Sequence, residues 1–214
     1  MKGAKGAIVG SSMVSLYNGI DAQDRDDIFD CLLYADVFAS RFHDQRKDYS
    51  NWLFRYRRRL ETRGWVLENP IRHTPHVIFR ASDLDAATFH VIDSTGARAL
   101  ADLAQATWRS TRINHHADHF FSRSSQDGEL ARFQMVPCMS DADGTVLMLI
   151  CAIRLTGSVD IRDFEFWTET RREMLLRISG GVYRFDRAVY EKYREDVRTQ
   201  LIGSSDRAIE EFPI

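Results

Sequence analysis

Apolar residues recur along this chain with two periods, and the change of period divides it. Over residues 22–42, Ile28, Leu32, Ala35, Ala39 and Phe42 recur at helical spacing, and Phe29, Leu33 and Val37 form a second stripe. A helix this apolar has to be covered on more than one side. Asp21, Asp24, Asp26 and Asp27 crowd its start, where the helix dipole favours negative charge. After a polar break at 44–48, a second helix is expected over 49–63, ended by Gly64 as a C-cap. At about 100° per residue, Tyr49, Trp52, Leu53, Tyr56 and Leu60 fall in one sector, so aromatic anchors hold this helix to the core. Short extended segments follow at 65–67 and 76–80.

Residues 83–92 fit two patterns. Thr88 to Ile92 reads as a strand, but Ser82 is a fair N-cap and Leu84, Ala87 and Val91 share a helical face, so a helix is preferred. A clearer helix spans 97–110, with Leu100, Leu103, Ala104 and Trp108 on one side. Thr107 is the polar member of that face, and its hydroxyl can bond back to the preceding turn.

After Arg112 the period shortens to two. Segments 130–138 and 145–155 flank Asp141-Ala142-Asp143-Gly144, an Asp-Gly turn between apolar runs and hence a hairpin. A two-residue turn at Asp143-Gly144 pairs Cys138 with Leu149 and Val136 with Cys151. One face then carries Val136, Cys138, Leu149, Cys151 and Ile153; the other carries Phe133, Met135, Met139, Met148 and Ile150. Both faces are apolar, so each needs a cover. One layer of helices covers one face. A two-fold dimer built on Met135, Met139, Met148 and Ile150 would cover the other, and spare helices of the same chain are the competing explanation. Residues 163–170 alternate as a further strand, and 173–185 read as a strand with a glycine bend at Gly180-Gly181. A closing helix over 187–202 places Val189, Tyr193, Val197 and Leu201 on one side, with Gly203 as C-cap. The expected fold is α+β: a helical N-terminal half, an antiparallel sheet of about four to five strands, and a C-terminal amphipathic helix.

Composition narrows the function classes. The chain has 214 residues, 44% hydrophobic and 28% charged, the profile of an ordinary globular protein. One domain over 21–214 is expected, preceded by a flexible arm over 1–20. A net charge of −2 gives no global attraction to nucleic acid or an anionic membrane. No apolar run is long enough for a membrane span. Lys2 and Lys5 precede Ala7-Ile8-Val9, but Gly10-Ser11-Ser12 breaks that run at once, so no signal peptide is expected. Three cysteines without a C-x-x-C suit a reduced, cytoplasmic compartment. Among the 29 basic residues only Lys2, Lys5, Lys47 and Lys192 are lysine, a bias that GC-rich bacterial codon usage explains.

The spacing Trp52-x3-Tyr56-x3-Leu60-x3-Gly64-Trp65, after an apolar first helix, resembles a motif of small bacterial proteins to which no activity is attached. A stretch similar to Ala131-Arg132-Phe133-Gln134 follows it there. The resemblance implies the same architecture, including a helix over 83–93, and nothing about chemistry.

Candidate chemistry is sparse. His115 and His119 would share a face on a helix and could then hold zinc. On the strand expected there they stand about 13 Å apart, too far for one ion. Asp141-Ala142-Asp143-Gly144 opens like a calcium loop, but Val146 and Ala152 stand where Gly and Glu are required. Gly3, Gly6 and Gly10 do not make a phosphate-binding fingerprint. Cys31 lies in an apolar helix face, and Cys138 and Cys151 form at most a same-face diagonal pair; buried inert thiols are the expectation. Asp163, Glu165 and Glu169 read as the solvent face of a strand. Arg55, Arg57, Arg58, Arg59 and Arg63 surround Tyr56 and suggest nucleic acid. On the helical wheel they scatter about the apolar sector, and the acids of the first helix offer partners, so an ion-paired coat is expected.

No catalytic residue, cofactor or metal ligand is therefore assigned. The sequence reads as a non-enzymatic binding or self-assembling module, partnered by copies of itself or another protein. One alternative is an effector or toxin-like protein acting on a membrane or host target. The other is a metal-dependent enzyme using the His115–His119 segment.

Overall fold

The computed structural model describes residues 5–17, 19–72, 75–78, 81–93, 95–111, 130–156, 174–202 and 209–213. The order of elements is β1 (Lys5–Val9), β2 (Ser12–Leu16), α1 (Ala22–Ser40), α2 (Tyr49–Glu61), β3 (Trp65–Pro70), β4 (His76–Ile78), α3 (Ala81–Asp93) and α4 (Arg98–Thr111). Then come β5 (Leu130–Ser140), β6 (Val146–Thr156), β7 (Met174–Phe185), α5 (Arg187–Glu191), α6 (Arg194–Ile202) and β8 (Ile209–Pro213). The fold is α+β, and residues 83–92 are helical.

One eight-stranded sheet runs β3-β7-β6-β5-β2-β1-β8, and β4 pairs with the other half of the β3 side of β7. Every junction is antiparallel except β2 with β5. The described chain between β2 and β5 contains four helices, long enough to return in the same direction. The expected flexible arm over 1–20 is corrected here. Residues 5–16 form a hairpin whose Ala7, Val9, Met13 and Val14 are buried, and β2 pairs with the central hairpin. Gly10 serves the turn between the two strands. Gly10 takes φ +57°, and a Cβ there would lie 2.5 Å from the Asp36 carboxylate. Ser11 donates to that carboxylate from its amide at 2.9 Å and its hydroxyl at 2.7 Å.

The β5–β6 register is corrected by one residue. The loop has three residues, because the Asp141 carboxylate accepts from the amides of Asp143 and Thr145 at 3.0 and 2.8 Å. Gly144 closes it at φ +76°. Cys138 thus faces Met148, and Met135 faces Cys151. A slip of one residue moves every β6 side chain to the other face. Val136, Cys138, Met148 and Ile150 pack under α1 and α2, while Met135, Leu149, Cys151 and Ile153 pack with α3 and α4. Cys138 and Cys151 therefore lie on opposite faces, both free. Met135, Met148 and Ile150 are all buried by the chain's own helices. That removes the apolar patch on which a homodimer was expected.

The closing helix is two short ones, α5 and α6, with the Tyr193 amide bonding back to the Tyr190 carbonyl at 2.8 Å. Gly203 lies outside the described residues, as does segment 163–170. Asp24, Asp27 and Asp30 of α1 pair with arginines of the closing segment 187–198. Asp24 meets Arg187 at 2.5 and 2.7 Å. Asp27 meets Arg194 at 2.9 and 3.0 Å, and Asp30 meets Arg198 at 3.2 Å. The Asp27 side chain is only 1% exposed. Asp27→Ala is expected to cost about 1.5–3 kcal/mol, because it removes a buried carboxylate that accepts two charge-assisted hydrogen bonds from Arg194, while Arg194 keeps Glu191 at 3.9 Å. Asp26→Ala, at an exposed pair, should cost under about 1 kcal/mol. Urea midpoints that move equally for both would refute this ranking.

Candidate functional site

Residues three or four apart on a helix are neighbours, so Tyr34, Phe38 and Phe42 at the end of α1 form one line of rings. Successive centroids are 6.5 and 5.2 Å apart. On α2 and the turn that ends it, Arg55, Arg59 and Arg63 repeat the same spacing. Each step of four advances only about 40° around the axis, so these three form a stripe along the flank of the buried sector. The expectation of scattered arginines therefore holds only for Arg57 and Arg58.

The two lines lie against each other. The Arg55 guanidinium sits 4.5 Å over Phe42, and Arg59 sits 3.9 Å over Phe38 and 4.7 Å over Tyr34. Arg63 lies 5.4 Å over Tyr34 and 4.4 Å over Tyr193. Arginine suits this role because its flat, weakly hydrated cation stacks on a ring while its N–H edge stays available. Arg59 and Arg63 both donate to the Tyr34 hydroxyl.

Neutralisation along the stripe is incomplete. Arg63 has Asp196 at 3.4 Å. Among the described residues Arg55 reaches a carboxylate only through His43: its Nε donates to His43 Nε2 at 3.0 Å, and His43 Nδ1 lies 2.9 Å from Asp48. Accepting from Arg55 leaves the His43 proton on Nδ1, where it donates to Asp48. The Asn51 amide, first, and His43 hold the Asp48 carboxyl below its ordinary range. Arg59 has no carboxylate partner among the described residues. The outlying arginines are satisfied locally: Arg58 pairs with Glu61 at 2.7 Å and Arg57 donates to the Tyr183 hydroxyl at 2.7 Å.

Charge and exposure make this corner distinct. Residues 41–63 hold eight Arg or Lys and three Asp or Glu, in a chain whose net charge is −2. Phe42 and Phe54 are 55% and 65% exposed. Phe42 has Arg55 over its ring and Phe38 tilted against it, so its free edge is apolar and its stacking face is taken.

The other sequence candidates do not assemble. Asp141 organises the hairpin turn, Gly6 lies within β1, and Gly10 packs on Asp36. Burial pushes the Cys31 and Cys151 thiols up to about 12, and pushes Cys138 up as well, so none is an activated nucleophile. Among the described residues no group of three His, Cys, Asp or Glu could hold a metal ion. His115, His119, Asp163, Glu165 and Glu169 lie outside the described residues. The aromatic and arginine ladders were both present in the sequence as i, i+4, i+8 series; their juxtaposition was not.

No family model matches the chain, and no curated protein matches it in sequence. A solved structure titled "Structure of the Evf virulence factor" is similar in general architecture, with a TM-score of 0.43 and 10% identity over 94% of this chain and 85% of that one.

Proposed function

We propose that this protein is a non-enzymatic binding module that docks on an anionic membrane surface through the corner formed by the end of α1 and by α2. The observation that carries the reading is the stripe Arg55, Arg59 and Arg63, with Asp196 its one direct carboxylate partner among the described residues, beside the exposed ring of Phe42; the exposed ring of Phe54 lies about 100° further round the helix from Arg55. Basic side chains near an anionic bilayer contribute about 1 kcal/mol each, and apolar rings beside them enter the interface. No helix among the described residues is long and apolar enough to cross a membrane, so the reading is of surface contact. A nucleic acid would use the same charge but needs open ring faces for its bases, and the Phe42 ring is already covered by Arg55. Self-assembly loses its support once both sheet faces are covered from within the chain.

Vesicle co-sedimentation tests this. The wild type is expected to bind phosphatidylserine-containing vesicles, to release them as salt rises, and to ignore vesicles of phosphatidylcholine alone. Phe42→Glu with Phe54→Glu should weaken binding at least about tenfold, since both charge and insertion are lost. Equal binding to neutral and anionic vesicles, or none to either, would overturn the proposal. Tighter binding to a single-stranded oligonucleotide than to vesicles would move the assignment to nucleic acid.

A further inference from the structure

A second cationic feature lies on the sheet, independent of the membrane reading. In the register of β5, β6 and β7, Arg132 faces Arg154, and Arg154 faces Arg177. Neighbouring strands are about 4.8 Å apart, so three arginine positions stand side by side. Alternation places Arg154 on the α1–α2 side, because Ile153 and Leu155 belong to the α3–α4 core. Arg177 joins it there, between Leu176 and Ile178 of that same core. Like charges directly opposite each other weaken a sheet. A solvated antiparallel face normally alternates their sign. Neither Arg154 nor Arg177 has a carboxylate partner among the described residues, and Arg154 Nε is sealed from solvent with no hydrogen-bond acceptor.

The adjoining row of the same face is Gln134, Ala152 and Ser179. Gln134 is fully buried; its Nε2 donates to Ser11 Oγ at 3.4 Å while its Oε1 has no partner. Ala152 puts the smallest side chain between two polar ones. The result is a pair of guanidiniums without a carboxylate partner among the described residues, next to a row of small and polar side chains.

We infer that Arg154 and Arg177 form a binding site for inorganic phosphate or a phosphate monoester. Two in-register forks match the oxygens of a tetrahedral oxyanion, each able to make paired N–H···O bonds. Charge sets the class: a phosphate monoester carries about −1.5 to −2 near neutral pH and balances both cations, whereas one carboxylate leaves a cation over. Occupation also removes the like-charge cost of the empty row.

Inorganic phosphate is the probe, with chloride at equal ionic strength as control. Equilibrium dialysis of the wild-type chain should show saturable phosphate binding near one per chain, and phosphate should raise the melting temperature where chloride does not. Arg154→Gln and Arg177→Gln should each weaken phosphate binding at least about tenfold, and should melt no lower than the wild type without phosphate because the repulsion is relieved. Arg154→Lys keeps the charge and loses the fork, and should fall between them. Absence of saturable binding in wild-type dialysis overturns the inference whatever the variants do. So does phosphate binding that survives in both glutamine variants. Phe42→Glu with Phe54→Glu should leave phosphate binding unchanged, so this site and the membrane face fail or stand separately.

Discussion

Gly180→Ala is expected to prevent stable folding, at a cost above about 4 kcal/mol, in the range reserved for named structural failures. Gly180 takes φ +139° in the middle of β7, and a Cβ there would collide with the carbonyl oxygen of Ile150 on β6. The obstacle is backbone in the centre of the sheet, so no side chain can rotate aside. Its neighbour Gly181 packs as tightly on the other side, with Asn69 O 2.7 Å from a built Cβ. This is where β7 leaves β3: the Ile71 amide bonds Gly180 O at 3.0 Å, and β4 pairs with the strand's first part. Gly144→Ala is the control. Its φ is +76°, but nothing lies within 4 Å of the added carbon, so it should cost only about 1–2 kcal/mol of left-handed strain. Comparable circular-dichroism melting curves for the two variants would show that β6 and β7 do not approach as described.

Trp52→Ala should cost about 3–5 kcal/mol, the range for removing a large buried aromatic. The ring is fully buried, stacked between Tyr49 at 5.9 Å and Tyr56 at 5.1 Å. Its indole nitrogen donates to Ser40 Oγ at 3.0 Å, tying α2 to the end of α1. Arg58→Ala should cost under about 0.5 kcal/mol, since that side chain is 63% exposed and holds only Glu61 on its own helix. Guanidinium denaturation of both variants decides the phase of α2, and equal midpoints would put it wrong. The membrane face depends on this phase. The sector that buries Trp52, Tyr56 and Leu60 sets Arg55, Arg59 and Arg63 on its flank.

Periodicity by itself determined the elements that bury one continuous stripe. The helices α1, α2 and α4, the strands β5 to β7 and the anchors Trp52, Tyr56 and Leu60 follow from local spacing, because each repeats its apolar residues at the period of its own backbone, whereas residues 83–92 fit two periods and the tertiary structure decides for α3. The N-terminal hairpin was not legible. Its ten strand residues include one glycine and two serines, and its burial comes from β5, β8 and α1, which lie further along the chain. The β5–β6 register turned on one side chain. Nothing in the spacing shows that Asp141 captures two amides and lengthens the loop, yet that single residue exchanges the faces of Met148 and Leu149. It also decided whether the hairpin needed a second subunit. The candidate surfaces divide in the same way. The i, i+4, i+8 series of arginines and of rings are sequence facts. That Arg55 meets Phe42, or that Arg154 meets Arg177, depends on helix pairing and strand register. Those pairings are chosen by the summed burial of the whole core, a long-range free energy that no local window of residues contains.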